Sequence, residues 1–114
     1  MFKNIKKRDG RVVPFDPSKI TSALTRAGKA ADEFGESQAK RLMIRVLTLA
    51  YELPLGTTPD VEEIQDIVER VLLDSSFNNA AKKYIIYREL HAQIRTIFSK
   101  ASADLVEDQI DEKQ

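Results

Sequence analysis

The 114-residue sequence has no cysteine, which excludes disulfides, thiolate metal sites, iron–sulfur ligation and any cysteine nucleophile or thiyl-radical step within the chain. One histidine, His91, leaves no histidine-rich metal centre. No apolar run approaches the roughly eighteen residues that span a bilayer. Met1-Phe2-Lys3 leads into polar sequence rather than a signal-peptide core. A soluble, cytoplasmic chain with no membrane contact is expected. The common chemistry-bearing motifs are also missing: there is no HExxH, no Ser-His-Asp logic, no GxxxxGK[ST] and no GxGxxG. The carboxylates fall in helix first turns or on polar helix faces, where solvation accounts for them. No catalytic residue and no metal ligand is expected, and His91 reads as a core histidine on the apolar side of a helix.

What remains is 42% hydrophobic and 32% charged, enough for one compact domain with a real core. Net charge is zero but unevenly laid out. Residues 1–30 carry eight Lys/Arg against two Asp/Glu, and residues 101–114 carry five acids against Lys113. Such a cationic front end attracts the phosphates of a nucleotide, a nucleic acid or a membrane surface, although many charge runs are simply solvated faces.

Asp9-Gly10 between the β-prone runs at 4–7 and 11–15 predicts a hairpin over about 3–15, with Pro14 ending the second strand or keeping it at an edge. Two strands are marginal in water, so the ribbon must lie on helices. Asp16-Pro17 reads as a cap and first residue of a helix carrying Ile20, Ala23, Leu24 and Ala27, stopped by Gly28. A second helix over Ser37–Leu53, with Leu42, Met43, Val46, Leu47, Leu49, Ala50 and Leu53 apolar, is expected to be buried over much of its surface. Thr58 is the expected cap of a third, with Pro59 at its first position and Val61, Ile64, Val68, Val71 and Leu72 as its stripe, widened by Ile67 and Leu73, up to about Asp74. Asn78 or Asn79 caps a long fourth helix whose stripe runs Tyr84, Tyr87, His91, Ile94, Phe98, Ala101, Leu105. From about Phe98 this helix has little of a small domain left to pack on, which suggests continuation toward a partner. The predicted fold is α+β and mostly helical: an N-terminal hairpin packed on a bundle of about four helices.

Lys7 and Arg8 fall at the hairpin turn, and Lys19 in the first turn of the helix that the hairpin feeds. If the ribbon folds over that helix, three cations meet near a helix N-terminus whose free N–H groups also favour anions. Three readings stand at this point. The basic end holds a nucleotide, tracks a nucleic-acid backbone, or is solvated while the long helix docks a partner.

Four segments in order, KRDG at Lys7–Gly10, VVPFDPSKI at Val12–Ile20, TPDVEEIQDIVERVL at Thr58–Leu72 and AKKYIIYRELHAQIR at Ala81–Arg95, resemble the ATP-cone family. The wording is most similar to the cone of anaerobic ribonucleoside-triphosphate reductases, with the adenosylcobalamin class second. The resemblance implies a cone over residues 1–98, with 99–114 leading toward a catalytic domain. It implies an allosteric effector site for ATP or dATP that controls the overall activity of a ribonucleotide reductase, ATP activating and dATP inhibiting through altered subunit assembly. Mg2+ is implied with the nucleotide, and the implied partners are reductase subunits and a nucleotide-dependent homo-oligomer. Carried over by residue, Lys7, Arg8 and Lys19 face phosphates, and Ile5, Val13, Asp16, Ile20, Thr58, Glu62 and Tyr87 face the nucleoside. Some relatives hold an acid where this chain has Val13.

Overall fold

The computed structural model describes residues 2–54 and 56–104, with side chains through Ser99. They form a first compact unit ending at Tyr84 and a second beginning at Ile85. The fold is α+β: a two-stranded antiparallel hairpin followed by four helices.

β1 (Asn4–Lys6) and β2 (Val12–Pro14) pair with Ile5 opposite Val13. Because side chains alternate across a strand, Ile5 and Val13 share the half-buried face while Lys6 and Val12 point to solvent. The turn is closed by the Lys7 N–H to the Arg11 carbonyl (2.7 Å) and the Gly10 N–H to the Lys7 carbonyl (2.9 Å). Gly10 takes a φ of 93°, which side-chain-bearing residues rarely adopt. Pro14, with no N–H to give a ladder, is the last strand residue, as expected.

The hairpin is fastened by backbone as well as by side chains. The Lys6 N–H donates to the Pro59 carbonyl at 2.9 Å, and Lys6 forms a parallel bridge with Asp60. This bridge corrects the expected start of the third helix. Residues 59–60 must be extended to pair with β1, so Pro59 is a buried anchor rather than the first helical residue, and Thr58 is not the cap. α3 (Val61–Asp74) is capped by Asp60, whose side chain accepts from the Glu63 N–H at 2.8 Å, while the Glu63 carboxylate accepts from the Asp60 N–H at 3.0 Å.

α1 (Pro17–Ala30) starts where the sequence placed it. Asp16 Oδ1 accepts from the Ser18 N–H (3.0 Å) and the Ser18 hydroxyl (2.7 Å). Those two bonds, the hydroxyl first, hold the Asp16 carboxyl below its ordinary pKa, with the Lys19 charge adding to them. The helix does not stop at Gly28. Asp32 enters the left-handed region (φ 56°), with the Asp32 N–H bonded to the Lys29 carbonyl (3.1 Å) and the Glu33 N–H to the Gly28 carbonyl (2.9 Å). This is a Schellman ending with aspartate in the place usually held by glycine. Gly28 serves packing instead: the Phe34 ring occupies the space that a Cβ would need.

α2 (Glu36–Ala50) ends before the expected Leu53, with the Tyr51 N–H closing the last turn on the Leu47 carbonyl at 2.9 Å. It packs on both α1 and α3. Its buried stripe is Ala39, Leu42, Val46 and Ala50, and Ile44 is exposed, so one face is covered rather than most of the surface. On α3 the stripe Ile64, Val68, Val71 and Leu72 is buried as expected, whereas Leu73 is exposed. Among the described residues no polar or charged side chain is buried, and no helix is long and apolar enough to cross a membrane.

α4 (Asn78–Asp104) gives Ala80, Ala81 and Tyr84 to the core of the first unit. Neither asparagine caps it. The Glu33 carboxylate accepts from the Ala80 N–H (2.7 Å) and the Asn79 N–H (3.4 Å), and Phe34 meets Phe77 with ring centroids 4.7 Å apart. In the second unit the Tyr87 and His91 rings lie 4.1 Å apart, and His91 is exposed rather than a core residue. Helical periodicity identified an apolar side there without identifying what covers it. Leu105, the last expected member of that stripe, lies outside the described residues.

Two outcomes follow for stability. Glu33→Ala leaves two α4 N–H groups without their carboxylate and should cost about 1 kcal/mol, lowering the thermal midpoint by several degrees with little change in denaturant slope. Asp16→Ala should also lower that midpoint. Because the folded Asp16 pKa is depressed, its contribution is complete above the unfolded value and disappears as pH falls through the folded one. Asp16→Asn should therefore flatten the acid limb of a stability–pH curve while keeping most of the cap at neutral pH.

Candidate functional site

The inner face of the hairpin, α1 and α3 enclose a cleft of about 280 Å³ within the first unit. Its walls follow from the elements just described. Ile5 and Val13 come from the inward face of the ribbon, Ile20 and Ala23 from α1, Ile64 and Val68 from α3, and Tyr84 from the first turns of α4. Lys7 is two residues beyond Ile5 and keeps the same side of the ribbon, so it enters the cleft together with Arg8. Lys19 and Asp16 reach it from the start of α1. Three cations separated by up to twelve positions in sequence thus line one apolar-walled cavity.

Seven of the ten residues singled out in the sequence line this cleft: Ile5, Lys7, Arg8, Val13, Asp16, Lys19 and Ile20. The other three have different settings. Thr58 is exposed on the extended segment before α3 and is not among the lining residues. Glu62 pairs with Arg8, its carboxylate 2.8 Å from Nε, and lines a neighbouring cavity with Lys6, Lys7 and Gly10. Tyr87 belongs to the second unit, its ring tilted against that of His91.

Of the residues in α3, only Glu62 was expected at the site, and the members that wall the cleft were missed. Ile64, Val68 and Tyr84 were legible as helix stripes, yet a stripe does not say which members face a cavity. Gln65 had no signal at all: its carbonyl accepts from Arg8 Nη2 at 3.0 Å and it lines the cleft. The start of α3 did have one, since Asp60 and Glu63 stand at capping-box spacing.

The cations are not equally committed. Arg8 is held by Glu62 and Gln65, and Arg11 is tied to Asp9 at 2.7 Å within the turn. Asp9 is thereby held below its ordinary pKa, mainly by its hydrogen bond from the Arg11 backbone and then by the Arg11 side chain. Among the described residues no cluster of His, Cys, Asp or Glu could hold a metal ion.

An apolar cavity with convergent cations at one helix start has the chemistry to accept an anion carrying an apolar body. Comparison with known proteins agrees with that class. Residues 3–93 match the ATP cone domain, and the chain belongs to the ATP-cone family, whose members are regulatory nucleotide-binding domains. It is 41% identical over 100 residues to a vitamin B12-dependent ribonucleoside-diphosphate reductase from Thermoplasma acidophilum, covering 83% of this chain and 13% of that protein. It is 35% identical over 96 residues to a ribonucleoside-diphosphate reductase subunit alpha from Chlamydia pneumoniae, covering 78% and 9%. It is 33% identical over 88 residues to an anaerobic ribonucleoside-triphosphate reductase from Salmonella typhimurium, covering 77% and 12%. The chain thus spans only 13% or less of each of these three relatives. Identity is higher to the B12-dependent protein than to the anaerobic one, the reverse of the order suggested by the wording of the motifs.

Proposed function

We propose that the chain is an allosteric domain that binds ATP or dATP and controls the overall activity of a ribonucleotide reductase. The observation that carries this reading is the convergence of Lys7, Arg8 and Lys19 on a cleft whose walls are aliphatic. The phosphates would lie between the hairpin turn and the start of α1, where charge-assisted bonds combine with the N-terminal end of a helix. The nucleoside would lie against Ile5, Val13 and Ile20. Both bonds to Asp16 use Oδ1, so Oδ2 is the atom with which it would meet a ribose hydroxyl. The cavity stands at the lower edge of the roughly 300–1,000 Å³ typical of small-molecule sites, so the nucleotide would be only partly enclosed. Mg2+ would arrive on the phosphates and temper the charge that the three cations neutralise.

The cations meet features common to ATP and dATP, so they supply affinity without choosing between the two. Choice rests on the ribose, and its output, activation by ATP and inhibition by dATP, requires assembly states of the reductase that bind the two nucleotides differently. The domain is regulatory and makes no bond itself. The nucleic-acid reading accounts for the cations but not for the aliphatic walls of the cleft, which binding a phosphate backbone does not need.

The test is a calorimetric titration with ATP, dATP and GTP, with and without Mg2+. Saturable binding of both adenine nucleotides and weak binding of GTP are expected. Lys7→Ala or Lys19→Ala should cost about 1.5–3 kcal/mol each, tenfold or more in affinity. No heat and no thermal shift with either adenine nucleotide would refute the assignment.

A further inference from the structure

Arg8 lies between two cavities. It lines the cleft together with Gln65 and the neighbouring cavity together with Glu62. Its Nε donates to Glu62 at 2.8 Å and its Nη2 to Gln65 at 3.0 Å, so two separate bonds join the tip of the hairpin to the first two turns of α3. Lys7 and Lys19, the other two cleft cations, make no ion pair among the described residues. The cation best placed to bridge hairpin and phosphate is therefore the one already neutralised by a carboxylate.

We propose that Glu62 is the resting counter-ion of Arg8 and competes with the nucleotide for it. Glu62 thereby sets the affinity of the cleft and releases the hairpin tip from α3 when phosphates take Arg8. The inference rests on the nucleotide reading above and assigns Glu62 a part different from nucleoside contact. The energetics suit a reversible exchange. Both partners are partly exposed, with 34% and 50% of their side-chain surface accessible, and exposed ion pairs are weak. A triphosphate carries several negative charges and offers Arg8 more than one acceptor, so it can win the exchange. When it does, the Arg8 ties to Glu62 and Gln65 are given up, while the Lys6 to Pro59 backbone bond remains. The tip moves and the base stays.

The measurement is ATP affinity across a double-mutant cycle of Glu62→Gln and Arg8→Ala. Glu62→Gln should bind ATP about two- to five-fold more tightly, and that gain should vanish in the Arg8→Ala background. A gain of equal size without Arg8 would mean that Glu62 merely repels phosphate through space, and the proposal would fall. Weaker binding by Glu62→Gln would make Glu62 a support that aims Arg8, which also overturns it. The Arg8 Nε–H resonance adds a second reading: it should move on Glu62→Gln substitution and again when ATP is added to the unmodified chain, and an unmoved signal in either case contradicts the exchange. If Lys7→Ala abolishes ATP binding while Glu62→Gln changes nothing, the nucleotide reading stands and this inference fails. If ATP does not bind the unmodified chain, both fail together.

Discussion

The bond from the Lys6 N–H to the Pro59 carbonyl joins two parts of the chain that are far apart in sequence. Two three-residue strands cannot hold their shape in water unaided, and this bond with the adjacent Lys6–Asp60 bridge adds a third extended segment beside β1. Its consequences run in both directions. The hairpin is laid over α1 and α3 with Ile5 and Val13 inward, and the segment before α3 is kept extended, which moves the helix start to Val61. The cleft exists because the ribbon is held at that distance from both helices.

A second interlock fixes the opposite part of the first unit. Asp32 accepts a left-handed conformation, which turns the chain so that Glu33 meets the first N–H groups of α4 and Phe34 covers Gly28 and meets Phe77. One short turn therefore ends α1, caps α4 and closes the packing between them. The core that these connections enclose contains no buried polar side chain among the described residues. The polar groups gather at the cleft and on the surface, where their charges are available to a ligand.

That distribution suits a sensor. A site built from exposed cations and weak ion pairs binds through differences that a ligand can tip, whereas a deeply buried charge network would resist exchange. Arg8 shows this most directly, being shared between acceptors of α3 and the space where phosphates would lie. The two halves of the cleft differ in origin as well. The hairpin and the start of α1 are contiguous in sequence and carry every expected phosphate contact, while α3 brings the wall and the counter-charges from some fifty positions away, as the separation of 54 between Arg8 and Glu62 shows.

What the sequence determined by itself was local. The Asp9-Gly10 turn, the Asp16-Pro17 start, the helix stripes and the cations at positions 7, 8 and 19 are set by neighbouring residues and by period, so they were legible, as was the family resemblance. Only the tertiary structure decided the rest. Thr58-Pro59 lost the start of α3 because Pro59 pairs with a distant strand, and the asparagines lost the cap of α4 to the Glu33 carboxylate, 46 residues from Asn79 and 47 from Ala80. Gln65 joined the cleft, and Glu62 became the partner of Arg8, only because the hairpin tip lands on α3. A propensity weighs a residue against its neighbours in the chain, and a hydrogen bond across the fold is stronger than that weight whenever it satisfies a backbone group that would otherwise have no partner.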